Sequence, residues 1–199
     1  MTPEQFQQIT NVSRETLRRL RIYADLLGQW QSRVNLVGPR TIPDMWNRHF
    51  FDSAQLYALL PDGPVRMVDI GSGGGFPGLV LSIMGVADTH LIESDQRKAV
   101  FLREVVRATG AAAEVHACRA EAVTGLTGDV VMARALAPLE RLIPLVQRFV
   151  ARGSVVLLPK GQHIDEELTR CAIPANIRLE RIPSQSDPRG SILRLTGWA

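Results

Sequence analysis

The sequence DIGSGGGFPG occupies residues 69–78 and directly follows a short β-rich run. Its glycines Gly71, Gly73 and Gly75 permit backbone torsions that other residues avoid, and they remove side chains that would block the approach of a ligand. Pro77 suits the first turn of a following helix. In an open parallel sheet, ligands bind beyond the carboxyl ends of the strands. The segment therefore predicts a strand, a ligand-binding loop and a helix in succession.

Beyond this loop, short β-rich runs alternate with helical runs. The predicted strands are VRMVDI (65–70), THLIE (89–93), AAEVHAC (112–118), DVVMARA (129–135) and GSVVLLPK (153–160). The predicted helices after the loop helix are QRKAVFLREVVRATG (96–110), PLERLIPLVQRFV (138–150) and HIDEELTR (163–170). The last two β-rich runs, 176–183 and 191–197, predict a hairpin that adds an antiparallel strand at the sheet edge. The expected fold class is α/β, with a Rossmann-like, mostly parallel sheet and helices on both faces.

The residues before the loop have a helical pattern. Residues 3–31 carry apolar side chains at three- and four-residue steps, which predicts one or two amphipathic helices. A second helical stretch is expected over 43–60, ending at the breaker PDGP (61–64). The expected organisation is therefore an N-terminal helical extension, 1–63, and a ligand-binding domain, 64–199.

Composition excludes several classes of protein. The 199 residues are 45% hydrophobic and 22% charged with a net charge of +3, which argues against a disordered chain. Cys118 and Cys171 stand outside any Cys-x-x-Cys spacing, so neither a disulfide framework nor a metal site is expected. The N-terminus lacks the apolar core of a signal peptide, and no apolar run reaches the roughly 18 residues of a membrane span. We expect a cytoplasmic protein with no membrane association.

Two acidic residues indicate which ligand the loop binds. The run GGGFPG also satisfies the dinucleotide pattern G-x-G-x-x-G, so the glycines alone do not exclude a nicotinamide cofactor. Asp69, two positions before the first glycine, would repel a pyrophosphate, whereas the ammonium and sulfonium of S-adenosylmethionine favour a nearby carboxylate. Glu93, at the end of the second predicted strand, can accept hydrogen bonds from ribose hydroxyls in either cofactor. S-adenosylmethionine is the expected cofactor, with an NAD-dependent oxidoreductase or a nucleotide-binding regulatory module as alternatives.

Several separate segments resemble the bacterial small-subunit ribosomal RNA guanine-N7 methyltransferases, the glucose-inhibited division protein B family. They are Trp30, Asn35-Leu36, Arg48-His49, Asp52-Ser53, DIGSGGGFPG (69–78), LIESDQRKAVFL (91–102), CRAEA (118–122), ARAL (133–136) and LPKG (158–161). This resemblance covers nearly the whole chain and implies a class I S-adenosylmethionine-dependent methyltransferase fold. It also implies methyl transfer to guanine N7 in 16S ribosomal RNA of the 30S subunit. Another RNA or a small molecule is the alternative acceptor.

The resemblance further implies a set of cofactor-binding positions. Together with Asp69 and Gly73 from the loop, these are Gly71, Phe76, Glu93, Ala120, Glu121 and Arg134. The chain departs from the family pattern at Val37, at Ala133 and in the order Gln96-Arg97-Lys98. Guanine N7 already offers a lone pair and bears no hydrogen, so no catalytic base is expected. Arg134, directly after an apolar strand, is the best candidate for a residue that orients the reactants.

Basic residues near the predicted loop ends are the candidates for RNA contact. They are Arg48, His49, Arg97, Lys98, Lys160 and Arg189. Arginine and lysine side chains neutralise phosphates and supply most of the affinity of nucleic-acid binding. For each of these residues the alternative is a solvated charge or a side chain that packs within the protein. A monomer is expected, because no obligate protein partner is evident.

Overall fold

The computed structural model describes residues 1–199 and confirms the alternation of strands and helices. The strands are β1 (Arg66–Ile70), β2 (Asp88–Ile92), β3 (Ala113–His116), β4 (Gly128–Met132), β5 (Val150–Lys160), β6 (Arg178–Pro183) and β7 (Ser191–Thr196). The helices are α1 (Pro3–Thr10), α2 (Arg14–Gln31), α3 (Asp52–Ala54), α4 (Gly78–Met84), α5 (Gln96–Thr109), α6 (Leu139–Val146) and α7 (Ile164–Arg170). None of these helices is both long and apolar enough to cross a bilayer.

The seven strands form one sheet in the order β3-β2-β1-β4-β5-β7-β6. Strands β1 to β5 run parallel to one another, and β7 runs antiparallel to both β5 and β6. The predicted α/β fold class and the antiparallel hairpin at the sheet edge are confirmed; β7 lies one position inside the edge and β6 is outermost. The strand order reverses between β1 and β4, and a crevice at such a point is where open α/β sheets bind ligands.

The helical stretch predicted over 43–60 is present but irregular. It consists of a 3₁₀ segment (Pro39–Asp44), a π-helical turn (Trp46–Phe51), the short α3 and a second 3₁₀ segment (Gln55–Leu59). The π turn buries three consecutive residues, His49, Phe50 and Phe51. These side chains have different neighbours: His49 hydrogen-bonds to Thr41 and Arg134, and Phe50 contacts Tyr23 and Phe76.

The N-terminal helices pack on one face of the sheet, which we call the first face. Its largest hydrophobic cluster contains 21 buried residues, and more than half of them precede residue 64. Those from the N-terminal region are Phe6, Leu17, Leu20, Tyr23, Ala24, Leu27, Val34, Leu36, Val37, Phe50, Phe51 and Ala54. The remainder come chiefly from the loop, α4 and α5. Residues 1–63 therefore share one core with the sheet.

The opposite face, which we call the second face, is covered less completely. Helices α6 and α7 pack over β1, β4, β5 and β7 in a cluster of 17 buried residues. The chain between β3 and β4 forms only the 3₁₀ turn Ala120–Ala122, with no helix to cross back over β2 and β3. Consequently, polar side chains of β2 and β3 face solvent on this side.

Candidate functional site

A cleft of about 910 Å³ opens at the carboxyl ends of β1, β2, β4 and β5. The glycine loop, residues 35–52 and residues 184–192 line it. The last two segments adjoin each other, because Arg48 binds Asp187 and the Ser186 hydroxyl donates to Asp52 Oδ1. A second cavity of about 940 Å³ lies at the amino ends of the strands, between the turns at 57–66, 85–88 and 127–129. Only the first cavity contains the predicted loop and strand-end residues, and it has the location expected for ligands of parallel sheets. We therefore assign the first cavity as the candidate site.

Helix α2, which is distant in sequence, packs against the glycine loop. Gly71 and Gly73 have φ of +70° and +57°, as the sequence predicted for residues that turn the backbone under a ligand. Gly75 has φ +92°, and a Cβ there would lie 2.6 Å from both Leu79 Cδ1 and the Tyr23 hydroxyl. That hydroxyl donates to the carbonyl of Gly74. The loop therefore needs glycine where α2 packs against it.

Glu93 follows β2 and lines the cleft, as predicted. Its Oε2 accepts a hydrogen bond from the Gly73 amide at 2.8 Å, and its Oε1 accepts one from the Asp95 amide at 2.8 Å. Each carboxylate oxygen can accept a second hydrogen bond, so both remain able to receive hydroxyl donors from a ligand. The two backbone donors fix the carboxylate beside the loop.

Asp69 lies beneath the loop and does not line the cleft. Its Oδ2 accepts a hydrogen bond from the Gly78 amide at 3.1 Å, at the start of α4, while its Oδ1 is buried without a partner. Burial raises the pKa of Asp69 to about 6, against the opposing effects of the Gly78 amide, Ser72 and Arg134. The carboxyl group thus joins β1 to α4, and a direct contact with a cofactor stays a prediction.

Arg134 stands at the end of β4 and holds the N-terminal region against the loop. Its Nη1 donates to Asp52 Oδ2 at 3.1 Å and to the Arg48 carbonyl at 3.2 Å. Its Nη2 lies 3.1 Å from His49 Nδ1, and its guanidinium lies over the Phe76 ring, 5.1 Å from the centroid. The rigid fork of donors makes arginine suited to such a junction.

His49 is buried, and its hydrogen bonds are internal. Burial, together with the charges of Arg134 and Arg48, lowers its pKa to about 3, so the ring is neutral at neutral pH. Because Arg134 only donates, Nδ1 of His49 is the acceptor and Nε2 carries the hydrogen. Nε2 then donates to Thr41 Oγ1 at 2.6 Å, and the Thr41 hydroxyl donates to the Gly38 carbonyl. Of the two interpretations open for His49, the geometry favours packing within the protein.

The other predicted RNA-contact residues fall into two groups. Arg48 and Lys160 line the cleft but are paired, with Asp187 Oδ2 and Glu167 Oε2 respectively, each at 2.8 Å. Lys98 lines the cleft, and Arg97 lies next to it on the exposed start of α5. Arg189 is exposed on the loop between β6 and β7. Lys98, Arg97 and Arg189 are thus distributed around the cleft. Arg97 and Arg189 make only long ion pairs, with Asp95 at 3.8 Å and Asp187 at 3.9 Å, and both guanidinium groups remain mostly exposed.

Two further predicted cofactor-binding residues, besides Asp69, lie outside the cleft. Ala120 and Glu121 form the turn after β3, where Ala120 packs on the second face and Glu121 is exposed. The Glu121 carbonyl accepts a hydrogen bond from Arg148 Nη2 at 2.9 Å. This turn is connected to the site through β3, since the Glu93 amide donates to the His116 carbonyl.

Leu136 is a cleft residue that the sequence analysis did not single out. A Cβ on Gly71 would lie 2.6 Å from its Cδ1, so the Leu136 side chain covers the loop at that glycine. Leu136 is partly exposed, and the preceding Ala135 has φ +53°, a left-handed conformation that is uncommon for alanine. In the sequence, Leu136 is indicated only by its position at the end of the ARAL segment (133–136).

The sequence of this chain matches those of a known protein family. Residues 16–184 match the sequence profile of the family described as rRNA small subunit methyltransferase G. The chain belongs to this family. It is 55% identical to the ribosomal RNA small subunit methyltransferase G of Rhodospirillum centenum over 96% of this chain and 88% of that protein. It is 53% identical to the protein of the same name from Paramagnetospirillum magneticum, over 98% of this chain and 95% of that protein.

Solved structures agree on the fold of this family member. The ribosomal protein L11 methylase of Lactobacillus delbrueckii subsp. bulgaricus aligns with a TM-score of 0.60 at 14% identity, over 74% of this chain and 77% of that one. The putative methyltransferase yhhF of Escherichia coli aligns with a TM-score of 0.58 at 19% identity, over 81% and 88%. The predicted class I methyltransferase fold is thereby confirmed.

Proposed function

We propose that this chain transfers the methyl group of S-adenosylmethionine to N7 of a guanine in 16S ribosomal RNA of the small subunit. Membership of the rRNA small subunit methyltransferase G family supports the reaction and the class of acceptor. The observation that carries the proposal is the cleft itself, where Glu93 and the glycine loop face a wall held in place by Arg134. An NAD-dependent oxidoreductase has no support from the family.

The cleft residues fit the cofactor. Gly71 and Gly73 present backbone without side chains, and the Glu93 carboxylate beside them can accept hydrogen bonds from ribose hydroxyls. When bound, S-adenosylmethionine supplies an electrophilic methyl group on a sulfonium. We propose that Phe76 lies against the cofactor and that Asp69 acts through its charge beneath the loop. Ala120 and Glu121 remain our proposed neighbours of the adenine, because their turn follows the strand paired with β2.

The protein's own contribution to the reaction is orientation. Guanine N7 needs no proton removed, and the nearest imidazole, His49, is neutral and hydrogen-bonded within the protein. The Lys160 ammonium is bound to Glu167 and to the Ala137 carbonyl, so it does not act as a free acid or base. Orientation of reactants alone contributes up to about 7–11 kcal/mol to a reaction barrier. We assign Arg134 as the residue that positions the cleft wall for this purpose.

The basic residues around the cleft fit an RNA acceptor. Lys98, Arg97 and Arg189 leave their charges available to phosphates, and the chain carries a net charge of +3. Arg48 faces the cleft, and its side chain is exposed although it is paired with the half-buried Asp187, so an RNA phosphate would compete with Asp187 for the guanidinium. We also propose that the chain acts as a monomer. We propose that it acts in the cytoplasm, where 30S subunits are present.

The test is transfer of labelled methyl groups from S-adenosylmethionine to unmodified 30S subunits and to free 16S ribosomal RNA, followed by nucleoside mapping. We expect one labelled N7-methylguanine per RNA. Label at another atom, or turnover of a small molecule without RNA, would overturn the proposed acceptor. Binding of S-adenosylhomocysteine, measured by calorimetry, tests the cofactor site separately.

Arg134→Lys tests the positioning role within the same assay. Lysine keeps the charge but does not reach Asp52, His49 and the Arg48 carbonyl together. We expect kcat to fall by about 10²-fold, the loss typical of reactants displaced by roughly 1 Å. Arg33→Lys, an exposed conservative change, is the matched control and should leave kcat unchanged. Equal activity of the two variants would refute the role of Arg134.

A further inference from the structure

A cluster of potential metal ligands lies on the open part of the second face, away from the cleft. His90 on β2 pairs in register with Glu114 on β3, and His116 lies two residues beyond Glu114 on the same strand. Residues two apart in a strand point to the same face, so all three side chains meet on one surface. No helix follows β3, so no helix packs over this part of the sheet. The methyl-transfer proposal uses none of these side chains.

The distances within the cluster suit a single metal ion. His90 Nδ1 lies 2.9 Å from His116 Nε2. The Glu114 carboxylate oxygens lie 3.8 Å from His90 Nδ1 and 3.9 Å from His116 Nε2. Zinc binds histidine nitrogen and carboxylate oxygen at about 2.0–2.2 Å in tetrahedral geometry, which separates the ligand atoms by roughly 3.3 Å. Small side-chain rotations therefore bring all three atoms to coordinating distance.

Asp88 supplies the partner that metal-binding histidines usually have. His90 Nε2 lies 3.1 Å from Asp88 Oδ1, and the other oxygen of Asp88 accepts a hydrogen bond from Arg66 Nε at 2.8 Å. A histidine that donates one ring N–H to a carboxylate presents the lone pair of its other nitrogen to a metal. The Asp88 contact thus directs the Nδ1 lone pair of His90 into the cluster.

We propose that His90, Glu114 and His116 bind one Zn²⁺ ion, with water as the fourth ligand. The burial of these groups differs in a way that fits this role. His90 and His116 are 14% and 23% exposed and form a fixed base, while Glu114, at 67%, is free to close over the ion. The ion would join β2 to the short edge strand β3, whose His116 carbonyl holds the Glu93 amide. The ion would therefore stabilise the sheet edge next to the cleft.

The test uses the full-length, untagged protein after treatment with a chelator. Calorimetric titration with Zn²⁺ should give one site per chain, and Co²⁺ should give the intense visible absorption of a tetrahedral complex. His116→Gln should weaken Zn²⁺ binding by at least the ~10–100-fold that loss of an outer partner costs. His163→Gln is the matched control, because His163 is an exposed histidine directly before α7 whose side chain hydrogen-bonds only to Gln162 and Glu166.

Further variants keep the result interpretable if His116→Gln alters the fold. Glu114→Gln changes an exposed side chain, and Asp88→Asn removes the outer carboxylate together with its exposed ion pair to Arg66; both should weaken Zn²⁺ binding while far-UV circular dichroism stays unchanged. The proposal is overturned if the wild type shows no one-to-one site, or if His163→Gln reduces binding as much as His116→Gln does. It is also overturned if folded Glu114→Gln and Asp88→Asn both bind Zn²⁺ with wild-type affinity.

Discussion

The two faces of the sheet are built from different residues. On the first face, aromatic rings of the N-terminal region meet those of the loop and α5: Tyr23 stacks on Phe76 at 5.2 Å between centroids, and Phe50 contacts both rings edge-on. The second face is largely aliphatic, with Phe149 and Trp198 as its buried aromatic residues. The first face therefore joins distant parts of the chain, whereas the second covers only the strands beneath it.

This difference affects the site. The glycine loop is held from the first face by the Tyr23 hydroxyl, the Phe76 contacts and the junction of Arg134 with Asp52. The second face contributes the buried sides of β1 and β4 but no bond to the loop. Residues 1–63 are thus part of the site's construction, and changes in the two faces should have separable consequences for ligand binding.

The largest expected effect comes from removing matched core leucines. Leu20 in α2 and Leu158 in β5 are both fully buried, one on each face. Leu20→Ala and Leu158→Ala should each lower the free energy of unfolding by about 2–5 kcal/mol through lost burial and a residual cavity. Urea unfolding followed by circular dichroism and by tryptophan fluorescence should show one coincident transition for both variants. A separate early transition in Leu20→Ala would mean that residues 1–63 fold as an independent extension.

Sequence periodicity predicted the elements well because each element carries its own signal. The alternation after residue 64 predicted the seven strands along the chain but not their order in the sheet. The strand ends predicted Glu93 and Arg134 as site residues, and both line the cleft. The predicted second helix over 43–60 was less accurate, because this stretch is divided into two 3₁₀ segments, a π-helical turn and one short α-helix.

Contacts between distant residues had no local signal. Arg134 binds Asp52, 82 residues earlier, and His90 meets His116, 26 residues later, only because β2 and β3 pair in that register. The expectation of no metal site was based on the spacing of the two cysteines, whereas the histidines come together only through strand pairing. Asp69 was predicted to bind the cofactor, yet nothing in the sequence indicated that it would lie beneath the loop rather than on the cleft surface.

Gly75→Ala should produce the next largest effect, acting at the contact between the first face and the loop. A Cβ there would meet Leu79 and the Tyr23 hydroxyl at 2.6 Å, and φ is +92°. Overpacking costs about 1–3 kcal/mol, and a left-handed backbone adds roughly 1–2 kcal/mol for a non-glycine residue. Thermal unfolding and S-adenosylhomocysteine titration should both show a loss. Gly161→Ala, where a Cβ meets nothing within 4 Å, should leave stability unchanged; similar losses in both variants would contradict the assigned packing.

Asp69→Asn should have a smaller effect of opposite sign that depends on pH. Burial raises the folded pKa of Asp69 from 3.8 to about 6, so the wild type loses stability as pH rises through this window. Asparagine does not ionise, and the variant should gain about 3 kcal/mol relative to wild type well above pH 6, and little near pH 4. Urea unfolding at a series of pH values measures this difference. The exposed Asp25→Asn is the control, and a gain for Asp69→Asn that is independent of pH would contradict the assigned cause.

The smallest expected effect comes from Tyr23→Phe, which removes one hydroxyl from the first face. The Gly74 carbonyl loses its buried donor, which should lower the free energy of unfolding by about 1–2 kcal/mol while the ring stacking on Phe76 is kept. Tyr57→Phe, at a partly exposed tyrosine, is the control. If the hydroxyl also shapes the loop, S-adenosylhomocysteine binding should weaken in Tyr23→Phe and not in Tyr57→Phe. Unchanged affinity would show instead that the glycines set the loop conformation and that the N-terminal region only supports it.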